Sequence, residues 1–130
     1  MQLIESSLLN SISDRAKESP RLRMNHNFHH SADAPVQRLL NALEPGTVIP
    51  VHRHRHTDET YILIRGCIRA IFYDEKGTEL ESAVINPVQG CFGIHIPAGQ
   101  WHSLEVIAPG TVIFEVKEGP YSPLGSDDLL

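Results

Sequence analysis

The sequence predicts an all-β fold of the sandwich or barrel kind, preceded by one short helix. Three observations carry this. Short runs of alternating apolar and polar residues recur along most of the chain, each closed by a glycine, proline or asparagine turn signal. Helical spacing of apolar residues is confined to the first part of the chain, before Pro20. A His-x-His pair and a glutamate flank one predicted turn, as on a hairpin that aims side chains at a common point.

The helix is expected over residues 3–18, where Leu8, Leu9, Ile12 and Ala16 recur near helical spacing and Asn10, Ser13, Asp14, Lys17 and Glu18 cover the other face. Ser19-Pro20 stops it, because the residue before a proline is pushed out of helical geometry. Residues 21–28 alternate: Leu22, Met24, His26 and Phe28 share one face, and Arg21, Arg23, Asn25 and Asn27 the other. A polar loop over 29–35 leads to a strand over 36–43, and Glu44-Pro45-Gly46 turns the chain. In the next hairpin, His52 and His54 are read on one strand, residues 55–58 as its turn, and Glu59 as the start of the returning apolar strand. Further strands are expected over 67–73, 79–85, 92–96, 101–107 and 111–117, separated by turns such as Asp74-Glu75-Lys76-Gly77 and Pro109-Gly110. The segment 118–130 is rich in Gly, Pro, Ser and Asp and reads as a loosely ordered tail.

Composition narrows the function classes. A chain of 130 residues with 41% hydrophobic content is expected to form a single domain over 1–130, with its core over 21–117. The formal charge of −5 argues against nucleic acid as the main partner. Cys67 and Cys91 have no recognisable spacing and read as two free thiols of a reducing compartment. No secretory signal pattern and no membrane-length apolar stretch is evident, so the expected location is the cytoplasm, with no membrane partner.

The eight histidines all lie between His26 and His102, and that unevenness points to a site. Two imidazoles and one carboxylate from His52, His54 and Glu59 make a donor set for a divalent transition metal, one that suits Fe(II) in particular. A lone His-x-His would read as two polar side chains facing water from a strand. Here Gly46, His52, His54, Glu59 and Gly66 stand at every spacing of the first motif of the cupin superfamily, and Pro97-Ala98-Gly99-Gln100-Trp101-His102 supplies the second. The chain resembles that superfamily, and the resemblance implies a small double-stranded β-helix, the cupin jelly roll. It also implies one divalent metal (Fe, Mn, Ni or Zn) held by His52, His54, Glu59 and His102. Two departures are visible: Cys91 stands where the second motif opens on glycine, with Gly90 one residue early, and Val106 stands where the superfamily often has asparagine.

A narrower resemblance runs from about residue 20 to 123. The segments Arg23-x-Asn25, Pro35-Val36-Gln37-Arg38, 42–47, His52-Arg53-His54, Trp101-His102 and 114–121 together are similar to the WbuC family of cupin-fold metalloproteins. Because members are often encoded with genes for O-antigen or other surface polysaccharides, that resemblance implies a sugar-related small-molecule substrate and a homodimer. Metal-assisted isomerisation or epimerisation is the first reading of the activity. An Fe(II)-dependent dioxygenase and a non-catalytic, metal-anchored sugar-binding or sensing module are the alternatives.

Beyond the metal quartet the candidates are weaker. Arg23, Asn25 and Arg38 are polar residues on strands; they either line a substrate pocket or face outward in surface ion pairs. Tyr61 shares the side of Glu59 by alternation, and either lines the pocket or packs in the core. His29, in the histidine-rich loop, is the candidate proton carrier. Glu115 either orients a ligand histidine or faces water.

Overall fold

The computed structural model describes residues 1–130. One helix and eight strands follow in order: α1 (Ser6–Glu18), β1 (Arg23–Asn27), β2 (Val36–Leu43), β3 (Glu59–Arg65), β4 (Ile68–Tyr73), β5 (Glu79–Ile85), β6 (Gly93–Ile96), β7 (Trp101–Val106) and β8 (Thr111–Glu118). The strands form two antiparallel sheets, one ordered β1-β2-β8-β3-β6 and one ordered β5-β4-β7. The chain passes repeatedly between them, which is the connectivity of a double-sheet jelly roll. The expected fold class is therefore the one the chain adopts.

Strand alternation sorts the apolar residues into two layers. Leu43, Tyr61, Leu63, Ile68, Ala70, Ile85, Ile96, Leu104 and Ile113 meet between the sheets. On the outer face of the larger sheet, Leu9, Ile12 and Ala16 of α1 pack on Leu40, Ala42 and Val112, with Met24, Phe28 and Phe114 beside them. A fully buried Leu or Ile contributes about 1.5–3 kcal/mol, so neither layer depends on a ligand for its cohesion.

The helix begins at Ser6, later than the sequence pattern suggests, and Leu3 and Ile4 are exposed. Ser13, assigned by pattern to the polar face, is buried. Its hydroxyl accepts from Arg65 Nη2 at 3.0 Å, while Arg65 Nη1 donates to Asn10 Oδ1 and Arg65 Nε to the Gly110 carbonyl, both at 2.8 Å. One guanidinium thus ties the helix to the far end of the larger sheet. Gly66 turns β3 into β4 with φ +95°, and a Cβ there would stand 2.6 Å from Thr111 Cα. Cys67 and Cys91 are free thiols. No helix is long and apolar enough to cross a membrane.

The expectation of a loosely ordered tail is not met. Tyr121 N donates to Ala32 O at 2.7 Å, Arg53 N to Asp128 O at 3.1 Å and Leu130 N to Val51 O at 2.9 Å. Asp128 Oδ1 also accepts from Arg53 Nε at 3.2 Å and from Arg55 Nη2 at 2.9 Å. Composition alone hid this, because the partners lie far away in sequence.

Candidate metal centre

The four predicted ligands come from three places. Glu59 opens β3, His102 lies on β7 of the opposite sheet, and His52 and His54 lie on the connection before β3. The two histidines are not on a regular strand, contrary to their spacing. Their backbone groups find other partners: His52 N donates to His102 O at 3.0 Å, His102 N to His52 O at 2.8 Å, and Gly99 N to His54 O at 2.8 Å. With the neighbouring Arg53 N bonded to the tail, no continuous ladder can form. The single bridge between His52 and His102 still locks the connection across to β7.

One ligand atom from each of His52, His54, Glu59 and His102 lies within 4.8 Å of the others, so the cluster can hold a metal ion. The ring centroids of His52 and His102 are 4.3 Å apart, and those of His52 and His54 5.2 Å. Two tautomers are set by the backbone. His52 Nδ1 donates to the Pro50 carbonyl and His102 Nδ1 to the Gln100 carbonyl, each at 2.8 Å. Each Nε2 is then left with its lone pair toward the cluster.

His102 Nε2 is buried and makes no hydrogen bond, and the buried Glu59 Oε1 has His54 Nε2 as its contact. Buried polar groups seldom lack a partner, and a cation satisfies both kinds of lone pair. Three imidazoles and one carboxylate suit a divalent transition metal and leave coordination positions open at five or six ligands. The protonation states agree. Burial, with His102 beside it, holds His52 down at about 4, and burial likewise lowers His102. Burial pushes the Glu59 carboxyl up, but the His54 hydrogen bond and charge and the neighbouring Tyr61 hydroxyl outweigh it and leave it at about 2. At neutral pH His52 and His102 are uncharged and Glu59 is ionised, the forms that ligate.

His54 is half-buried where His52, Glu59 and His102 are buried. On its side a cavity of 480 Å³ opens, roofed by residues 122–128 and bordered by Lys117. Arg53 lies 4.5 Å over the Trp101 ring and reaches Asp128, so the mouth is held by a cation–aromatic contact and a clasp on the tail.

The other candidates separate by alternation. On the inner face of the larger sheet, Glu59 stands opposite Lys117 and Tyr61 opposite Glu115. Asn41 Nδ2 donates to Glu115 Oε1 at 3.2 Å. Burial and the Glu59 charge push Glu115 up to about 7. Tyr61 is part of the core and stands beside Glu59; burial and the Glu115 charge raise its hydroxyl. Arg23 and Asn25 lie on the β1 face opposite to Met24, which packs toward α1, and border cavities on the inner side together with Asn41 or Glu115. Arg38 shares the parity of Leu40 and Ala42 and is exposed, so it does not join them. His29 lines the cavity of Asn25 and Glu115; its Nδ1 lies 3.1 Å from both the backbone N and the O of Arg38. It is not among the four clustered residues. Asn27, Asn41 and Lys117 were not singled out from sequence, although the alternation of Asn41 with Leu39 and Leu43 already placed an amide among core residues.

A family model described as a domain of unknown function, DUF6016, matches residues 4–85. None of the curated proteins compared with the chain matches it. Solved structures do. KdgF from Halomonas sp. superposes with TM-score 0.61 at 14% identity, over 80% of this chain and 84% of its own. The capsular polysaccharide assembling protein CapF from Staphylococcus aureus gives TM-score 0.64 at 18% identity over 81% of this chain, which spans only 30% of CapF. The cupin domain of Schizosaccharomyces pombe Cnp3 gives TM-score 0.59 at 10% identity, over 74% and 64% of the two chains. At such identities the likeness is one of fold. The chain therefore belongs to the family known as DUF6016, and it carries that family's sequence on a cupin fold.

Proposed function

We propose that this chain is a metal-dependent cupin of the WbuC type, one domain over 1–130. It acts on a sugar or sugar-nucleotide intermediate of surface polysaccharide assembly by isomerisation or epimerisation. The observation that carries the reading is the cluster of His52, His54, Glu59 and His102, with two imidazole tautomers set by the backbone and the buried His102 Nε2 left without a partner. The sugar context is supported by the motif resemblance and by the fold likeness to a capsular polysaccharide assembling protein.

A bound divalent metal would supply Lewis-acid polarisation of a substrate oxygen. The chain's own groups do the rest. The Pro50 and Gln100 carbonyls hold His52 and His102 in orientation, and Trp101 and the tail restrict water at the mouth. Glu115, poised near neutrality, is the group able to hold or give up a proton beside the site. His29 is the second proton carrier, on the cavity wall. The test is metal analysis of native protein, followed by turnover assays on nucleotide sugars. Absence of stoichiometric metal refutes the reading. Oxygen consumption with bound iron replaces isomerisation by oxygenation, and saturable sugar binding without turnover replaces it by a binding module.

We further propose a homodimer. Ile62 and Ile64 on the outer face of β3 and the nearby Phe92 are exposed apolar side chains, which pairing would cover. Light scattering at micromolar concentration is expected to give the mass of two chains; the mass of one refutes it.

A further inference from the structure

The inner face of the larger sheet keeps polar groups that the fold does not satisfy. Arg23 Nε and Asn41 Oδ1 are buried without hydrogen-bond partners. Beside them, Asn25 and Asn27 are exposed and Lys117 is half-buried, and none of the three is tied to another side chain, so all three are free to meet a ligand. Strand register sets Lys117 beside Glu59 of the metal cluster and carries the neighbouring row from Tyr61 out to Asn27. Glu59 is opposite Lys117, Tyr61 opposite Glu115, Glu115 opposite Leu39, and Leu39 opposite Asn27. Three strand spacings separate β3 from β1, roughly 14 Å, which is longer than a single hydroxyl or acid group and comparable to a small polyol ligand.

A cavity of 430 Å³ opens onto this surface, lined among others by Asn25, Asn27, Glu115 and Lys117. Its volume lies in the ordinary range of small-molecule sites. Its charge runs against that of the whole chain. The protein carries −5 overall, yet Glu115 is the single acid of the lining, against Arg21 and Lys117. Amides offer a donor and an acceptor on one rigid group and so match neighbouring hydroxyls, while an ammonium is a compact charge that accepts any acid group within reach.

We infer that this cavity is the ligand-recognition wall of the metal centre and takes a polyhydroxylated anion, its acid group on Lys117 and its hydroxyls on Asn25, Asn27 and Glu115. The inference rests on the reading of the chain as a metal-dependent cupin acting on sugar-type compounds, and it narrows that class to acidic members. A carboxylate and a phosphate ester share the chemistry that Lys117 recognises.

Calorimetric titration of the full chain, manganese-loaded and chelated, with gluconate, glucose 6-phosphate and glucose tests it. At least one of the two acids is expected to bind tenfold or more tightly than glucose, and which one does so distinguishes the two sources of charge. Lys117→Met is expected to abolish that preference, with metal content unchanged. Asn25→Ala is expected to weaken acid and neutral sugar in equal proportion, which keeps the test decisive if the lysine variant fails to fold. No binding by any of the three probes, equal binding of acid and glucose, or a preference that survives Lys117→Met overturns the inference. Metal content measured on the same samples decides the parent reading separately. Full metal without acid preference sinks the wall alone. Acid preference in a chain that takes up no metal sinks the metal reading and leaves the cavity an acid-binding site without a metal centre beside it.

Discussion

Acid is expected to destabilise the metal-free protein mainly through His52. Burial, with His102 beside it, lowers this imidazole from 6.5 to about 4 in the folded state. Between those values the unfolded chain binds a proton that the folded chain refuses. The stability contributed by the neutral ring is therefore complete above pH 6.5 and disappears as pH falls through about 4. At 1.36 kcal/mol for each pH unit of separation, the loss is about 3 kcal/mol. For a marginally stable domain that is a substantial part of the whole. Burial of His102 acts in the same direction. The assay is urea unfolding of chelated wild type and of His52→Asn at neutral pH and near the folded value. Wild type is expected to lose about 3 kcal/mol more than the variant over that interval. Equal losses in the two proteins would refute the argument, because they would place the acid sensitivity elsewhere. In the metal-loaded protein the same protons compete with the ion for Nε2, so metal release is expected to follow the same acid limb.

Three further outcomes are expected. Chelated wild type, Glu59→Gln and His102→Ala should each keep one cooperative thermal transition, because the apolar clusters of nine and six buried residues include none of the four ligands. Their melting temperature should fall by what mass action had supplied, about 2.7 kcal/mol at a hundredfold excess of metal over Kd, and circular dichroism that showed no transition would make the metal structural. Gly66→Ala should lower the urea midpoint by the equivalent of about 2 kcal/mol or more, since the new Cβ meets the Thr111 backbone and the residue must hold a positive φ; an unchanged midpoint refutes the clash. Burial and Glu59 raise Glu115 from 4.5 to about 7, so its contribution to folding is complete below 4.5 and is lost as pH rises through 7. Chelated Glu115→Gln should therefore lose less stability than wild type between acid and alkaline buffers, by up to about 3 kcal/mol; parallel pH profiles would count against a raised Glu115 carboxyl.

Much of this protein is legible in the residues. Apolar–polar patterning and turn chemistry placed β2 over 36–43, β5 over 79–85 and Glu59 at the start of β3; in β3 alternate residues are buried, whereas every residue of β5 except Ile85 is exposed and its flanking turns marked it. Of the candidate ligands, His52, His54 and Glu59 were legible because donor types and spacing are themselves the signal, whereas His102 came from the resemblance to the second cupin motif; the fold brings all four close enough to hold one ion. What the sequence could not determine was which way a face points. The polar face of β1 reads as solvated, yet α1 covers the apolar face from outside and Arg23 is partly buried with its Nε out of solvent, while Asn25 stays exposed and Arg38 on β2 points away. Hydrophobic patterning tells one face from the other but not which layer will cover it. Similarly, a tail rich in Gly, Pro and Ser is held in place by Arg53 and Arg55, some seventy positions earlier, and only the closed sandwich brings those groups together. His52 and His54 left the regular strand for the same reason. Their backbone partners, His102, Gly99 and the tail, are contributed by tertiary structure rather than by their neighbours in the chain.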